Sequence, residues 1–212
     1  HMVDVSMPTG AAHLAYDVAG DALWMTNWAD RKLRRFEPAT GVLTGYPAPS
    51  SPYTGPTFFG ATPWQIAANA THVFVNEYAG HRLLAFDKAA GTWSAIDVRL
   101  DLLGVDPLDV QTHSLTLRGD SLWFTVANEG SSAGVAAKAS LSGANSVGEG
   151  RTAAGRVSLS SWAAGSPQAT LYTFDSLPGS HSFRGIDVNA AGQIALADAP
   201  DHATVVLTPR SN

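Results

Sequence analysis

Seven histidines, six tryptophans and eighteen acidic residues are spread through this 212-residue sequence, and cysteine is absent. Without a thiol there is no disulfide framework, no thiolate nucleophile and no CxxCH haem attachment. The chain also lacks HExxH, GxSxG, a P-loop and an EF-hand loop, which removes the commonest metal, serine and nucleotide chemistries. His72, His81, His181 and His202 show no metal-ligand spacing, and His81 follows Glu77 only across a turn. What remains is positional. His13, Trp64, His113 and Arg184 stand at the start of four related segments, and Asn27, Glu77, Val126 and Asp198 stand at the end of the strand that follows each. Imidazoles titrate near neutrality. A tryptophan is a platform for a ligand or for packing. Carboxylates need a cation, an arginine such as Arg184, or backbone amides.

The segments that carry these residues share one plan. An extended run of small and apolar residues covers 12–17, 64–68, 113–117 and 184–188. A polar turn follows, and then a second apolar strand at 23–27, 73–77, 122–126 and 194–198. The pattern predicts third strands at 33–36, 83–86, 157–160 and 204–208. In three copies the third strand leads to a glycine turn, Glu37-Pro38-Ala39-Thr40-Gly41, Asp87-Lys88-Ala89-Ala90-Gly91 and Ser161-Trp162-Ala163-Ala164-Gly165, where glycine supplies a positive φ. Fourth strands are predicted at 42–46, 93–98 and 169–174. Asn27 to Glu77 spans 50 residues, Glu77 to Val126 spans 49, and Val126 to Asp198 spans 72. The excess is a Gly/Ala/Ser-rich insertion at 130–151.

A period of about 40–50 residues with four strands each is the pattern of propeller blades. No window sustains the 3.6-residue period of a helix. The expected fold is therefore all-β: a β-propeller of four-stranded antiparallel blades, four in this chain, as a single domain over 1–212. The blades cover 12–48, 62–100, 112–176 and 183–212. The fourth copy has three strands, and Val3-Asp4-Val5-Ser6-Met7-Pro8 matches the outer-strand segment Leu43-Thr44-Gly45-Tyr46-Pro47. Residues 3–8 are thus expected to pair with 204–208 and close the ring, since open edges invite aggregation. A piece of a larger ring, completed by further blades or a second copy, fits the same pattern. Trp24, Phe74 and Trp123 share one slot of the second strand and are expected to pack between blades, with Ile194 or Ala195 in that slot of the fourth.

Composition narrows the partners. Net charge is −5 and charged residues are 15% of the chain, below the average of about 25%. The densest basic run, Arg31-Lys32-Leu33-Arg34-Arg35, reads as one half-exposed strand, so nucleic acid is not an expected partner. No apolar run approaches the roughly 18 residues of a membrane span.

The repeats resemble the streptogramin lyase (virginiamycin B lyase) family among the NHL-like propellers. Leu23-Trp24-Met25-Thr26-Asn27-Trp28, Leu122-Trp123-Phe124-Thr125 and Arg34-Arg35-Phe36-Glu37-Pro38-Ala39-Thr40-Gly41 carry the resemblance, which covers nearly the whole chain except the insertion. The resemblance implies a carbon–oxygen lyase that opens a cyclic ester by proton abstraction. Channel-facing histidines act there as acid and base beside a carboxylate-held magnesium. Carried over, it assigns His113 and His13 to catalysis and Glu77 and Asp198 to Mg2+. That family draws its histidines from first-strand positions of neighbouring blades, whereas here Trp64 stands between the two and Val126 replaces a carboxylate.

In a propeller the start of strand one and the end of strand two meet on one face. His13, Trp64, His113, Arg184, Asn27, Glu77 and Asp198 are therefore expected to ring one mouth of the channel. The blade-joining loop adds Tyr53, Phe58 and Phe59. The leading expectation is a binding module that holds a small molecule or a partner protein's loop there, with Trp64, Arg184, Asn27 and Tyr53 as contacts. The magnesium-dependent lyase is the alternative, and a scaffold within a larger extracellular protein is the third reading. The expected location is secreted, periplasmic or cell-surface.

Overall fold

A computed structural model describes residues 9–52, 62–78, 81–98, 110–128, 153–174, 183–198 and 202–208. Four antiparallel sheets follow one another along the chain, each built from consecutive strands. The first contains β1 (Ala11–Asp17), β2 (Ala22–Asn27), β3 (Lys32–Glu37) and β4 (Val42–Pro47). The second contains β5 (Thr62–Ala68), β6 (His72–Tyr78), β7 (Arg82–Asp87) and β8 (Thr92–Asp97). The third contains β9 (Val110–Arg118), β10 (Ser121–Asn128), β11 (Ala153–Ser158) and β12 (Ala169–Thr173). The fourth contains β13 (Phe183–Val188), β14 (Ile194–Asp198) and β15 (Ala203–Leu207). This is an all-β propeller architecture, and the one helix among the described residues is α1 (Leu159–Ala163), five residues long.

Each sheet packs on the next. Trp24 lies among Ile66, Val73, Val75, Leu84 and Phe86 of the second sheet. Phe74 lies among Leu115, Leu122, Phe124 and Val157 of the third. Trp123 packs against Phe183, Ile186 and Leu196 of the fourth. The shared slot therefore does face the following blade. Trp24 and Phe74 are buried, whereas Trp123 is half-buried. Register places Ala195 in the slot of the fourth sheet. Sheets one and two, two and three, and three and four are joined in this way. Among the described residues the first and fourth sheets have no comparable packing. Leu14, whose counterparts Ile66 and Leu115 are buried, is 64% exposed. The closing segment 3–8, Tyr53, Phe58, Phe59 and the insertion 130–151 lie outside the described residues.

A polar link accompanies the apolar one. The first strand of each sheet carries a β-bulge against the second. In the first three sheets, residues 12–13, 64–65 and 113–114 oppose Thr26, Asn76 and Thr125, all fully buried. Thr26 Oγ1 accepts from His13 N (3.2 Å) and donates to the Trp64 carbonyl of the next sheet (2.5 Å). Asn76 Oδ1 accepts from Gln65 N (2.7 Å) and its Nδ2 donates to the Thr112 carbonyl (2.5 Å). Thr125 Oγ1 accepts from Ser114 N (3.1 Å). A bulge leaves backbone groups outside the ladder, and one buried side chain satisfies them, in the first two sheets also tying blade to blade.

The third sheet departs from the expected repeat. Its third strand ends at Ser158, opposite Ser121, two residues before the expected end. The expected five-residue turn from Ser161 is instead a wider turn that holds α1. Ser158 Oγ caps the helix by accepting from Ser161 N (3.3 Å), and Asp120 accepts from Ser160 N (2.9 Å). Trp162 is then carried onto Phe74 (ring centroids 5.7 Å apart), and its Nε1 donates to Ser94 Oγ (2.8 Å). Capping and the burial of an indole outweigh strand extension here. Gly91 and Gly165 keep the positive φ that the turns require, at 67° and 75°.

Gly155 shows how tightly this sheet is built. It pairs with Phe124, and a Cβ there would meet the Phe124 ring at 2.0 Å. Gly155→Ala is expected to destabilise the protein by at least about 1–3 kcal/mol, as overpacking does. Adding Phe124→Leu should recover part of that loss. Urea denaturation of the single and double variants checks this, and an unchanged midpoint for Gly155→Ala contradicts it.

Candidate functional site

The bulges govern where the side chains at the starts of the first strands are aimed, because a bulge re-aims the residues it holds. Trp64, His113 and Arg184 occupy equivalent positions in the second, third and fourth bulges. His13 stands one position further on, at the counterpart of Gln65 and Ser114. Its ring nevertheless lies edge-on to Trp64, with centroids 5.0 Å apart at 74°. Trp64 in turn packs against Tyr78 at 5.2 Å.

The two histidines are electrostatically linked. Burial, and then the neighbouring His113, hold the His13 imidazole below its ordinary pKa, so His13 is neutral at pH 7. His113 Nδ1 lies 3.0 Å from the Arg184 carbonyl oxygen. A carbonyl only accepts, so Nδ1 carries the proton and Nε2 is the basic nitrogen of the neutral ring. His13 thus meets Trp64 of the second sheet, and His113 meets the Arg184 backbone of the fourth.

The residues at the ends of the second strands do other work. Asn27 Oδ1 accepts from the amides of Ala29 (3.0 Å) and Asp30 (3.2 Å), and its Nδ2 donates to the Thr9 carbonyl (3.2 Å). It therefore organises the turn between β2 and β3. Glu77 is 1% exposed, and both its oxygens accept from Arg82, Oε2 from Nε and Oε1 from Nη2, each at 2.7 Å. Ser51 Oγ also donates to Oε2 (3.1 Å), and Arg82 donates to the Ser50 carbonyl (3.1 Å). The pair pins the link between the first two sheets onto β7. Val126 is buried in the core. Asp198 is buried opposite Phe183 and Ala203.

Magnesium is usually held by one or two carboxylates and several waters. Glu77 is already bound on both oxygens by a guanidinium, and no group of three His, Asp or Glu residues among the described residues could share a cation. Glu77, engaged by Arg82, is thus taken up by an ion pair within the protein.

Sequence reasoning missed two grooves at the opposite end of the strands. One, of about 420 Å³, lies between the first and second sheets and is lined by Asp17, Trp24, Arg35, Tyr46 and Lys88. The other, of about 440 Å³, lies between the second and third and is lined by His72, Phe74, Asp87, Trp93, Asp120 and Trp162. Polar residues repeating at the hairpin turns, Asp17, Asn69 and Asp120, were the available signal.

No family model and no curated protein matches this chain. Solved structures do. A streptogramin B lyase structure aligns with a TM-score of 0.57 and 18% identity, over 89% of this chain and 48% of its own. The β-propeller domain of Myceliophteria thermophila Cps50 (Swd1) aligns at 0.55 and 11%, over 93% and 51%. A chain of a nidogen/laminin complex aligns at 0.58 and 13%, over 94% and 65%. The chain thus spans about half to two thirds of the length of these structures. At such identities the likeness is one of fold, and the fold is the β-propeller.

Proposed function

We propose that the chain is a binding module of the β-propeller type, with its ligand held at the channel mouth against His13, Trp64 and His113. One arrangement supports this reading: the His13 ring lies edge-on to Trp64 with centroids 5.0 Å apart, and His113, from a third blade, stands at the position equivalent to Trp64. An imidazole set against an aromatic platform suits a small polar ligand or a side chain on a partner protein's loop. A lyase of the streptogramin type requires a cation beside the base, and the Glu77 carboxylate is engaged by Arg82 instead. Binding needs no metal.

A ligand-observed NMR screen of a fragment set tests the proposal. Fragments that bind the wild-type protein are expected to lose about tenfold in affinity, or about 1.4 kcal/mol, with His113→Ala, while the melting temperature stays within a few degrees. Fragments whose binding is unaffected by His113→Ala, or a screen without hits, overturn it.

A further inference from the structure

The two inter-sheet grooves are equivalent by register, and their differences point to a ligand. In the first, Arg35 and Lys88 both lie over the Trp24 ring, at 5.9 and 6.0 Å from its centroid. The Lys88 ammonium donates to Asp17 Oδ2 (2.5 Å) and to the Asn69 carbonyl. This groove therefore holds its own cations over an aromatic floor beside a carboxylate.

In the second groove Phe74 takes the place of Trp24, and Ala85, paired with Phe74, takes the place of Arg35. Strand three ends at Asp87 in the second sheet and at Ser158 in the third, so the residue after it changes from Lys88 to Leu159. Both cations are lost, and among the described residues no Lys or Arg lines the cavity. The carboxylate that meets Lys88 is replaced as well, because register sets Asn69 where Asp17 stands in the first sheet, but two other acids line this groove. Asp87 Oδ1 accepts from the amides of Ala89 (2.8 Å) and Ala90 (2.9 Å), and Asp120 Oδ2 accepts from the hydroxyls of Ser158 and Ser160 (both 2.7 Å). The amides of Ala90 and Ala89 hold Asp87 below its ordinary pKa, and the hydroxyls of Ser160 and Ser158 do the same for Asp120. Both are carboxylates at neutral pH. Between them stand the aromatic walls Phe74, Trp93 and Trp162. The remaining titratable group is His72, whose Nδ1 lies 2.8 Å from Thr71 Oγ1 and whose Nε2 lies 3.9 Å from Asp87 Oδ2.

We infer that the groove between the second and third sheets binds an alkylammonium group from outside the chain. Its volume of about 440 Å³ falls in the range of small-ligand sites, about 300–1,000 Å³. Aromatic faces and carboxylates together attract a cation on an apolar stem. An anion is repelled by Asp87 and Asp120. This site is separate from the channel mouth, at the other end of the strands.

The test follows the indole N–H resonance of Trp162 by NMR at constant ionic strength. The titrants are n-butylammonium, for a free amine, and Nα-acetyl-lysine methylamide, for a lysine of a partner protein. A saturable shift with n-butylammonium is expected, and none with n-butyrate. Saturation by the lysine derivative as well assigns the groove to alkylammonium groups on any carrier. Saturation by n-butylammonium alone assigns it to free amines. Leu159→Lys supplies an internal cation and should weaken binding by about tenfold or more, with the fold intact by circular dichroism. Asp120→Asn should weaken it in the same direction. No saturable shift, equal binding of n-butyrate, or undiminished binding by a folded Leu159→Lys variant overturns the proposal.

Discussion

Glu77→Ala is expected to cost the protein about 3–5 kcal/mol, the range for removing one partner of a buried ion pair. Glu77 is 1% exposed, and the Arg82 side chain is 12% exposed. Removing the carboxylate leaves a guanidinium with its bidentate acceptor gone and little water to replace it. The same change releases Ser51 and loosens the anchoring of the link between the first and second sheets. Arg82→Ala should be comparably costly, and the double variant should cost less than the two single changes combined, because each single change strands the other charge. Urea denaturation of all three variants measures this. A loss below about 1 kcal/mol for Glu77→Ala, the value of an exposed pair, would show that the carboxylate is reachable by water and return it to candidacy as a ligand group.

Trp24→Ala is expected to cost about 3–5 kcal/mol, as for other buried aromatics. Trp24 is 2% exposed, with Tyr46 and Phe86 each at 5.7 Å and its Nε1 donating to Asp17 Oδ2 at 3.5 Å. It also forms the floor beneath Lys88 and Arg35. Trp123→Ala should cost less. The repeat pattern implies equal roles for the two tryptophans, but Trp123 is half-buried, stacked on Tyr172 at 6.0 Å beneath the Arg156 guanidinium. Thermal and urea unfolding of the two variants side by side will rank them. Equal losses would mean that Trp123 is covered as completely as Trp24.

The architecture was legible in the chain because blade packing is written locally. Strands β2, β6, β10 and β14 fall where their apolar runs stand, and the 50-residue step from Asn27 to Glu77 is one blade. Hydrophobic alternation and turn glycines are short-range signals, and a repeat states them several times over. The positions of His13, Trp64 and His113 at the starts of the first strands were legible in the repeat. The bulges there were not, because a bulge moves a side chain without leaving a mark on composition, and His13 sits one position away from the other two.

Other features came only from tertiary contact. Nothing in the order of residues tells Glu77 to take Arg82 rather than Arg184 or a metal; the hairpin between β6 and β7 decides it by bringing the two to 2.7 Å in a dry place. The end of β11 at Ser158 depends on Asp120, 38 residues earlier, and on the room for Trp162 against Phe74. The grooves are the same kind of fact. Each is made by two sheets from residues about 70 apart, as Lys88 and Asp17 are, and its charge is the sum of side chains that no local pattern associates. The sequence by itself determined the blades, because their strands answer to neighbours a few residues away. Which charges meet, where the bulge residues are aimed and what the grooves can hold were decided only when the sheets packed, because burial and Coulomb energy depend on distance in space rather than along the chain.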